Sequence, residues 1–208
     1  LYNAEEMVAS CRSNNVKLFV NNRRLDPVYG LVYNIIINEF DSKIVTFNAL
    51  CSSGLHAVGL HMLDLLRFYF GEVDWVMAEK EDEYVKDLPF SKNYLPDDPR
   101  VRATVKFKNG ITGYFANTAL TEYTYFELEI LCKAGKIRVS DNGNLIEVWK
   151  KVNASGSTLS YRLNKPEVVK VEGRSLFELN IRSIEKQMSK DKEEDSFELS
   201  SENGLLSY

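Results

Sequence analysis

The chain is poor in the residues from which small built-in sites are usually assembled, with two histidines and three cysteines in 208 residues. Cys11, Cys51 and Cys132 are widely spaced and form no Cys-x-x-Cys pair, so neither a disulfide framework nor a metal site is written here. There is no surplus of positive charge: 26 basic against 30 acidic residues leave −4. That gives no field for a phosphate backbone and argues against nucleic acid as a partner. The longest apolar stretch, Leu55 to Phe70, is interrupted by His56, His61, Asp64 and Arg67. It falls short of the ~20 residues needed to cross a bilayer, so it reads as a buried helix and no membrane partner is expected. Among the 11 glycines no two are separated by a single residue, so the G-x-G-x-x-G loop that cradles a pyrophosphate cannot be written anywhere. A secretory leader is also lacking, and Leu1 stands where a new chain would carry methionine. The expectation is a cytoplasmic protein of which this is a piece.

What is present suits a globular domain. Apolar residues make up 44% and charged residues 27%, close to soluble averages, and a chain of this length buries roughly 70% of its unfolded surface. Asn3 and Glu6 form a capping pair for a helix over about 4 to 13, and Val16 to Val20 reads as a strand. Asp26-Pro27 caps a second helix, with Val28, Leu31, Val32, Ile35 and Ile36 at helical spacing and an end near Asn38. Ile44 to Leu50 is a strand. The Ser52-Ser53-Gly54 turn opens the apolar helix and Gly71 closes it. Strands follow at Val73 to Ala78, Val101 to Lys108, Ile111 to Ala119, Thr124 to Cys132, Lys136 to Val139, Leu145 to Lys150 and Thr158 to Leu163. A Pro-punctuated excursion over 79–100 interrupts them. Leu176, Leu179, Ile184 and Met188 return to helical period before the charged run 190–195, and 202–208 begins a further helix.

This order predicts an α+β fold, a large and mostly antiparallel sheet run as a meander with helices on one face only. The other face, to which Tyr114, Tyr125, Leu131 and Trp149 contribute, is then an interface candidate for a homo-oligomer.

Several segments together resemble the Gfo/Idh/MocA oxidoreductases. AEEMVASCRSNNVKLFV is similar to the last helix and strand of their nucleotide-binding domain, and NNRRLDP to the crossover into the second domain. GLHAVGLHMLDLLRFYFGEVDWV is similar to their G-x-H-x-x-D helix, LEILCKAGKIRV to a glycine turn, and SSENGLLSY to the final helix. The resemblance implies that 1–24 is a remnant of a Rossmann domain and 25–208 the substrate-binding and oligomerisation domain. The parent would be an NAD(P)-dependent oxidoreductase acting on a sugar, inositol or nucleotide-sugar-like polyol. NAD or NADP would be bound by the missing N-terminal domain, so the chain is not expected to bind a dinucleotide or to turn over unaided.

It also implies site residues. His61 fits the family's histidine, and imidazole suits removal of a hydroxyl proton at neutral pH; the rival reading is a hydrogen-bonded core histidine. Ala57 stands where many relatives carry the aspartate that completes the acid/base pair. This motivates the alternative of a catalytically silent binding or dimerisation module. Asp64 could orient His61, but pairing with Arg67 or a capping role is favoured. Arg24, Asn22 and His56 are substrate-binding candidates. For Arg24 and Asn22 an interdomain pairing role stands equally open. His56, five residues from His61, falls roughly 140° away on an α-helix and reads better as structural or rim. Asn153-Ala154-Ser155 reads as a polar hairpin tip.

Overall fold

Helix α2, Pro27–Phe40, begins where the sequence marks it. The Asp26 carboxylate accepts from the Val28 N–H at 3.1 Å and Pro27 fills the first turn, while the chain leaves the helix at Asp41 with φ 51°. The computed structural model describes residues 2–18, 20–81, 98–118, 121, 123–154, 161–170, 181–182 and 185. It gives α1 as Tyr2–Ser13 and α3 as Leu60–Phe70. A π-helical turn, Leu55–Gly59, leads into α3, and Gly71 at φ 80° supplies the left-handed residue that ends it.

Nine strands form one sheet. They are β1 Ile44–Ser52, β2 Val73–Lys80, β3 Val101–Phe107, β4 Thr112–Thr118, β5 Phe126–Cys132, β6 Gly135–Ser140, β7 Leu145–Asn153, β8 Tyr161–Leu163 and β9 Glu167–Lys170. The spatial order is β2-β3-β4-β1-β5-β6-β7, with β8 and β9 sharing the far edge of β7. The plain meander is therefore corrected. β4 and β5 follow each other in sequence but do not pair, because β1 lies between them, parallel to β4 and antiparallel to β5. The cause is topological. The helical crossover from β1 returns the chain to its starting end, so β2 runs in the direction of β1, and two antiparallel pairings, β2 with β3 and β3 with β4, then bring β4 alongside β1 in that same direction.

Val16, Lys17, Leu18 and Val20 are not in a strand; β-propensity alone makes none, since a strand exists through its ladder. The strand β9 was not expected. Of the helix expected from Leu176, the described residues Ile181, Arg182 and Glu185 are helical. Residues 82–97, the run 190–195 and the helix at 202–208 lie outside the described residues.

The core sits between α2, α3 and one face of the sheet. Met62, Leu65, Leu66 and Phe70 of α3 meet Phe47, Ala49, Phe107, Phe115, Leu128 and Ile130 of the strands. Phe47 stacks on Phe70 at 4.8 Å between ring centroids, and Phe107 approaches Phe70 edge-on at 5.4 Å. The opposite face carries, in register across β4, β1, β5, β6 and β7, Tyr114, Asn48, Thr46, Leu131, Lys136 and Trp149.

Candidate functional site

The central parallel pair places the C-terminal ends of β1 and β4 beside the start of the α3 helix. Asn117, 1% exposed, ties these ends together. Its Nδ2 donates to the carbonyls of Ser53 at 2.9 Å and Pro99 at 3.2 Å, and its Oδ1 accepts from the Val101 N–H at 2.9 Å. Gly54 at the helix N-cap has no side-chain oxygen, so the first N–H groups need an acceptor from elsewhere. Asp98 supplies it: Oδ1 accepts from the His56 N–H at 2.7 Å and Oδ2 from the Ala57 N–H at 3.0 Å. A Cβ on Gly54 would collide with that carboxylate. The two best-defined helix N-termini, those of α2 and of the helix leading into α3, are thus filled by the protein's own carboxylates. Among the described residues there is no group of three or more metal-ligating side chains.

His61 lies at the junction of α3 with the crossover turn Arg23–Leu25. Its Nδ1 is buried and has no hydrogen-bond partner among the described residues. Burial holds its pKa below the usual imidazole value, the Arg23 cation pushes the same way, and Asp64 opposes them. Asp64 is pushed up by its own burial, against the pull of Arg24. The favoured Asp64–Arg67 pair is corrected: Arg24 Nε lies 2.8 Å from Asp64 Oδ2, while Arg67 turns to Glu72 at 2.6 Å. Arg67 projects to the exposed side of α3, whereas Arg24 arrives from the crossover turn directly against the half-buried carboxylate. Asn22 precedes that turn, partly buried, and makes no capping bond through its side chain. Arg24 thus meets α3 at Asp64, one turn on from His61, and Asn22 leads into the same crossover turn.

His56 is exposed, its Nδ1 3.5 Å from Asp98 Oδ1. The 140° separation from His61 belongs to an ideal α-helix. Here the Gly59 N–H reaches the Gly54 carbonyl and the Leu60 N–H the Leu55 carbonyl. This π turn rotates less per residue and narrows the angle between residues five apart. Two contributors were missed in the sequence. Asp98 hides in the Pro-rich excursion, its only signal being a glycine N-cap that needs an outside acceptor. Arg23 carries no signal beyond the motif it shares with Arg24; its guanidinium lies 4.3 Å over the Phe126 ring and its Nη1 3.4 Å from the Asn142 carbonyl. Cys51 is no nucleophile: burial pushes its thiol up to about 12 even with Arg23 nearby.

Residues 42–138 match the family model described as the GFO/IDH/MocA C-terminal domain. No curated protein matches the chain significantly. Among solved structures, a levoglucosan dehydrogenase in complex with NADH and levoglucosan superposes at TM-score 0.65 with 18% identity, over 88% of this chain and 59% of that one. The WlbA dehydrogenase from Bordetella pertussis, in complex with NADH and UDP-GlcNAcA, gives 0.63 at 17% identity over 97% and 61%. UDP-N-acetylglucosamine 3-dehydrogenase GnnA from Acidithiobacillus ferrooxidans gives 0.65 at 13% over 90% and 58%. The chain therefore spans about three fifths of these proteins, and at such identities the likeness establishes the fold.

Proposed function

We propose that this chain, which over residues 42–138 is a GFO/IDH/MocA C-terminal domain, is the substrate-binding and oligomerisation part of an NAD(P)-dependent oxidoreductase acting on a sugar, inositol or nucleotide-sugar-like polyol. In this reading 1–24 closes a nucleotide-binding domain that holds NAD or NADP, and the chain alone does not turn over. The same reading makes the parent protein cytoplasmic. The single observation that carries the reading is the half-buried His61 with an unpartnered Nδ1, set beside the Arg24–Asp64 pair on the helix that the family motif marks.

The chain's own contribution is proton transfer and positioning. A neutral imidazole accepts the proton of a substrate hydroxyl as that carbon is oxidised, and burial and Arg23 favour the neutral ring. Arg24 fixes Asp64, and Asp64 steadies the imidazolium that forms. Asn22 and His56, one on the crossover and one at the exposed start of the helix, contact the substrate's other hydroxyls, with Arg24 available to do the same from behind Asp64. The sheet face bearing Tyr114, Leu131 and Trp149 pairs two copies.

In the full-length protein, His61→Ala lowers turnover at least ~100-fold, and wild-type kcat/KM falls on the acid side as the ring protonates below the usual imidazole value. A near-normal rate in His61→Ala refutes the assignment. The second reading, a silent binding module, is favoured by Ala57, which holds no carboxylate; absence of any hydride transfer from a polyol panel to NAD+ or NADP+ supports it.

A further inference from the structure

The two edges of the sheet are finished differently. At the far edge β8 and β9 are three and four residues long, and such short strands are poor templates for another chain. At the near edge β2 is eight residues long, and among the described residues no strand pairs its outer side. It is also exposed on both faces. Ala103 and Val105 of β3 are buried in the core, yet their partners in register, Ala78 and Val76, are exposed, Val76 at 55%. On the opposite face Trp75 and Met77 stand 43% and 67% exposed. An open ladder flanked by apolar side chains is a template for a further strand.

The backbone shows which groups face outward. The Glu81 N–H donates to the Arg100 carbonyl at 2.8 Å. An antiparallel ladder alternates, so Glu81, Glu79, Met77 and Trp75 direct their N–H and C=O groups at β3. The next pairing agrees: the Phe107 N–H donates to the Ile111 carbonyl, which turns the odd-numbered residues of β3 to β4 and the even-numbered ones to β2. Val76, Ala78 and Lys80 therefore direct their N–H and C=O groups along the open edge.

We propose that this edge pairs with the same edge of a second copy, antiparallel about a two-fold axis at Met77. Two outward-facing residues must meet in a hydrogen-bonded pair, so even-numbered residues oppose even-numbered ones. Among such registers, the one centred on Met77 sets Val76 against Ala78 of the second copy on one face and Met77 against itself on the other. Asp74, three residues before the axis, then comes beside Lys80, three residues after it, and the two-fold makes that match twice. Charges on an edge strand ordinarily keep a second copy away; here they are self-complementary. Moving the axis to Val76 or Ala78 loses the match. Glu79 comes opposite Trp75 and keeps Arg102 beside it in its own chain. The seam lies apart from the open face of the sheet and does not rest on the dehydrogenase reading.

The full-length protein tests it by cross-linking. Facing residues of a non-hydrogen-bonded antiparallel pair have Cα atoms ~4.5 Å apart, within disulfide reach. Under mild oxidation Met77→Cys should give a disulfide-linked dimer at least ~tenfold faster than Glu79→Cys or the wild type, because only residue 77 meets itself across the axis. Ala78→Pro removes an outward N–H while sparing the ladder to β3, and should abolish the Met77→Cys link in a protein that stays folded. Lys80→Glu should weaken self-association in sedimentation equilibrium at least ~fivefold, since each dimer then holds two like-charge pairs. Exchanging the charges, Asp74→Lys with Lys80→Asp, should restore it. Equal linking by Glu79→Cys, no effect of Lys80→Glu or no rescue by the exchange overturns the proposal. So does slow amide exchange at Val76 and Ala78 in the monomer, because the protein's own chain then closes the edge. Glu127→Gln on the open face should leave the Met77→Cys link in place, so failure of face pairing and failure of the seam are read separately.

Discussion

The two faces of this sheet are built from the same strands, yet one is hydrocarbon and the other is laced with charge. On β5 and β6, Phe126, Leu128, Ile130, Ile137 and Val139 point to α2 and α3 and are at most 1% exposed. Their sequence neighbours Glu127, Glu129, Lys136 and Arg138 point away and join as Lys136–Glu129 at 2.9 Å and Arg138–Glu127 at 3.0 Å. The covered face holds the fold, because burial of apolar area contributes ~25 cal/mol per Å² and packing adds to it. The open face contributes little to folding, since exposed ion pairs exchange hydration for attraction nearly evenly.

The comparison is broken most severely on the covered face. Phe70, 2% exposed, touches both Phe47 and Phe107 through its ring. Phe70→Ala removes the centre of that aromatic group and leaves a cavity that β1 and β3 cannot close. The expected loss is about 3–5 kcal/mol in urea-induced unfolding. A loss below about 1 kcal/mol would mean the helices are not what shields this face.

How much of this was legible follows the same division. Alternation at Val101 to Phe107 and Phe126 to Ile130, and helical spacing from Val28 to Ile36, are repeated signals of burial, and they locate β3, β5 and α2 to within a few residues. Tertiary pairing is not periodic. Nothing in Ile44 to Ser52 says that this strand will part β4 from β5, and nothing in Val16 to Val20 says that no ladder forms there. The site is harder still, because it joins residues from separate elements by single contacts. Asp64 at i+3 from both His61 and Arg67 invites a local pair, and the guanidinium that reaches it comes from Arg24, 40 positions upstream in sequence. Asp98 caps His56 and Ala57 from sequence separations of 42 and 41.

That long-range cap allows an intermediate test, at the rim where the two faces meet. Asp98 is buried and its carboxylate serves two helix N–H groups at the positive end of the helix. Asp98→Asn keeps the shape, removes the charge and turns one acceptor into a donor facing an N–H. The expected cost is about 1–2 kcal/mol, the range for a charge-assisted bond lost at a buried position. It should appear as earlier thermal unfolding and as faster amide exchange at His56 and Ala57, with exchange in β5 and β6 unchanged. Equal exchange at 56 and 57 in both proteins would show that the carboxylate is not their acceptor.

The smallest effect belongs to the open face, and it sharpens the comparison by separating folding from association. Glu127→Gln breaks the pair with Arg138 on a surface where both side chains are about one third or more exposed. Folding stability should change by no more than about 0.2–1 kcal/mol. If this face also pairs two copies, Tyr114 and Leu131, at 40% and 37% exposure, become part of a buried patch in the assembly. The ion pairs between them are then desolvated and must stay matched, because an unpaired charge at an interface costs several-fold more than one facing water. Glu127→Gln therefore leaves the urea midpoint of the dilute protein nearly in place while weakening self-association, read by light scattering at micromolar concentration. A wild-type protein that stays monomeric there removes the interface from the reading, and a variant that unfolds as readily as Phe70→Ala removes the distinction between the faces.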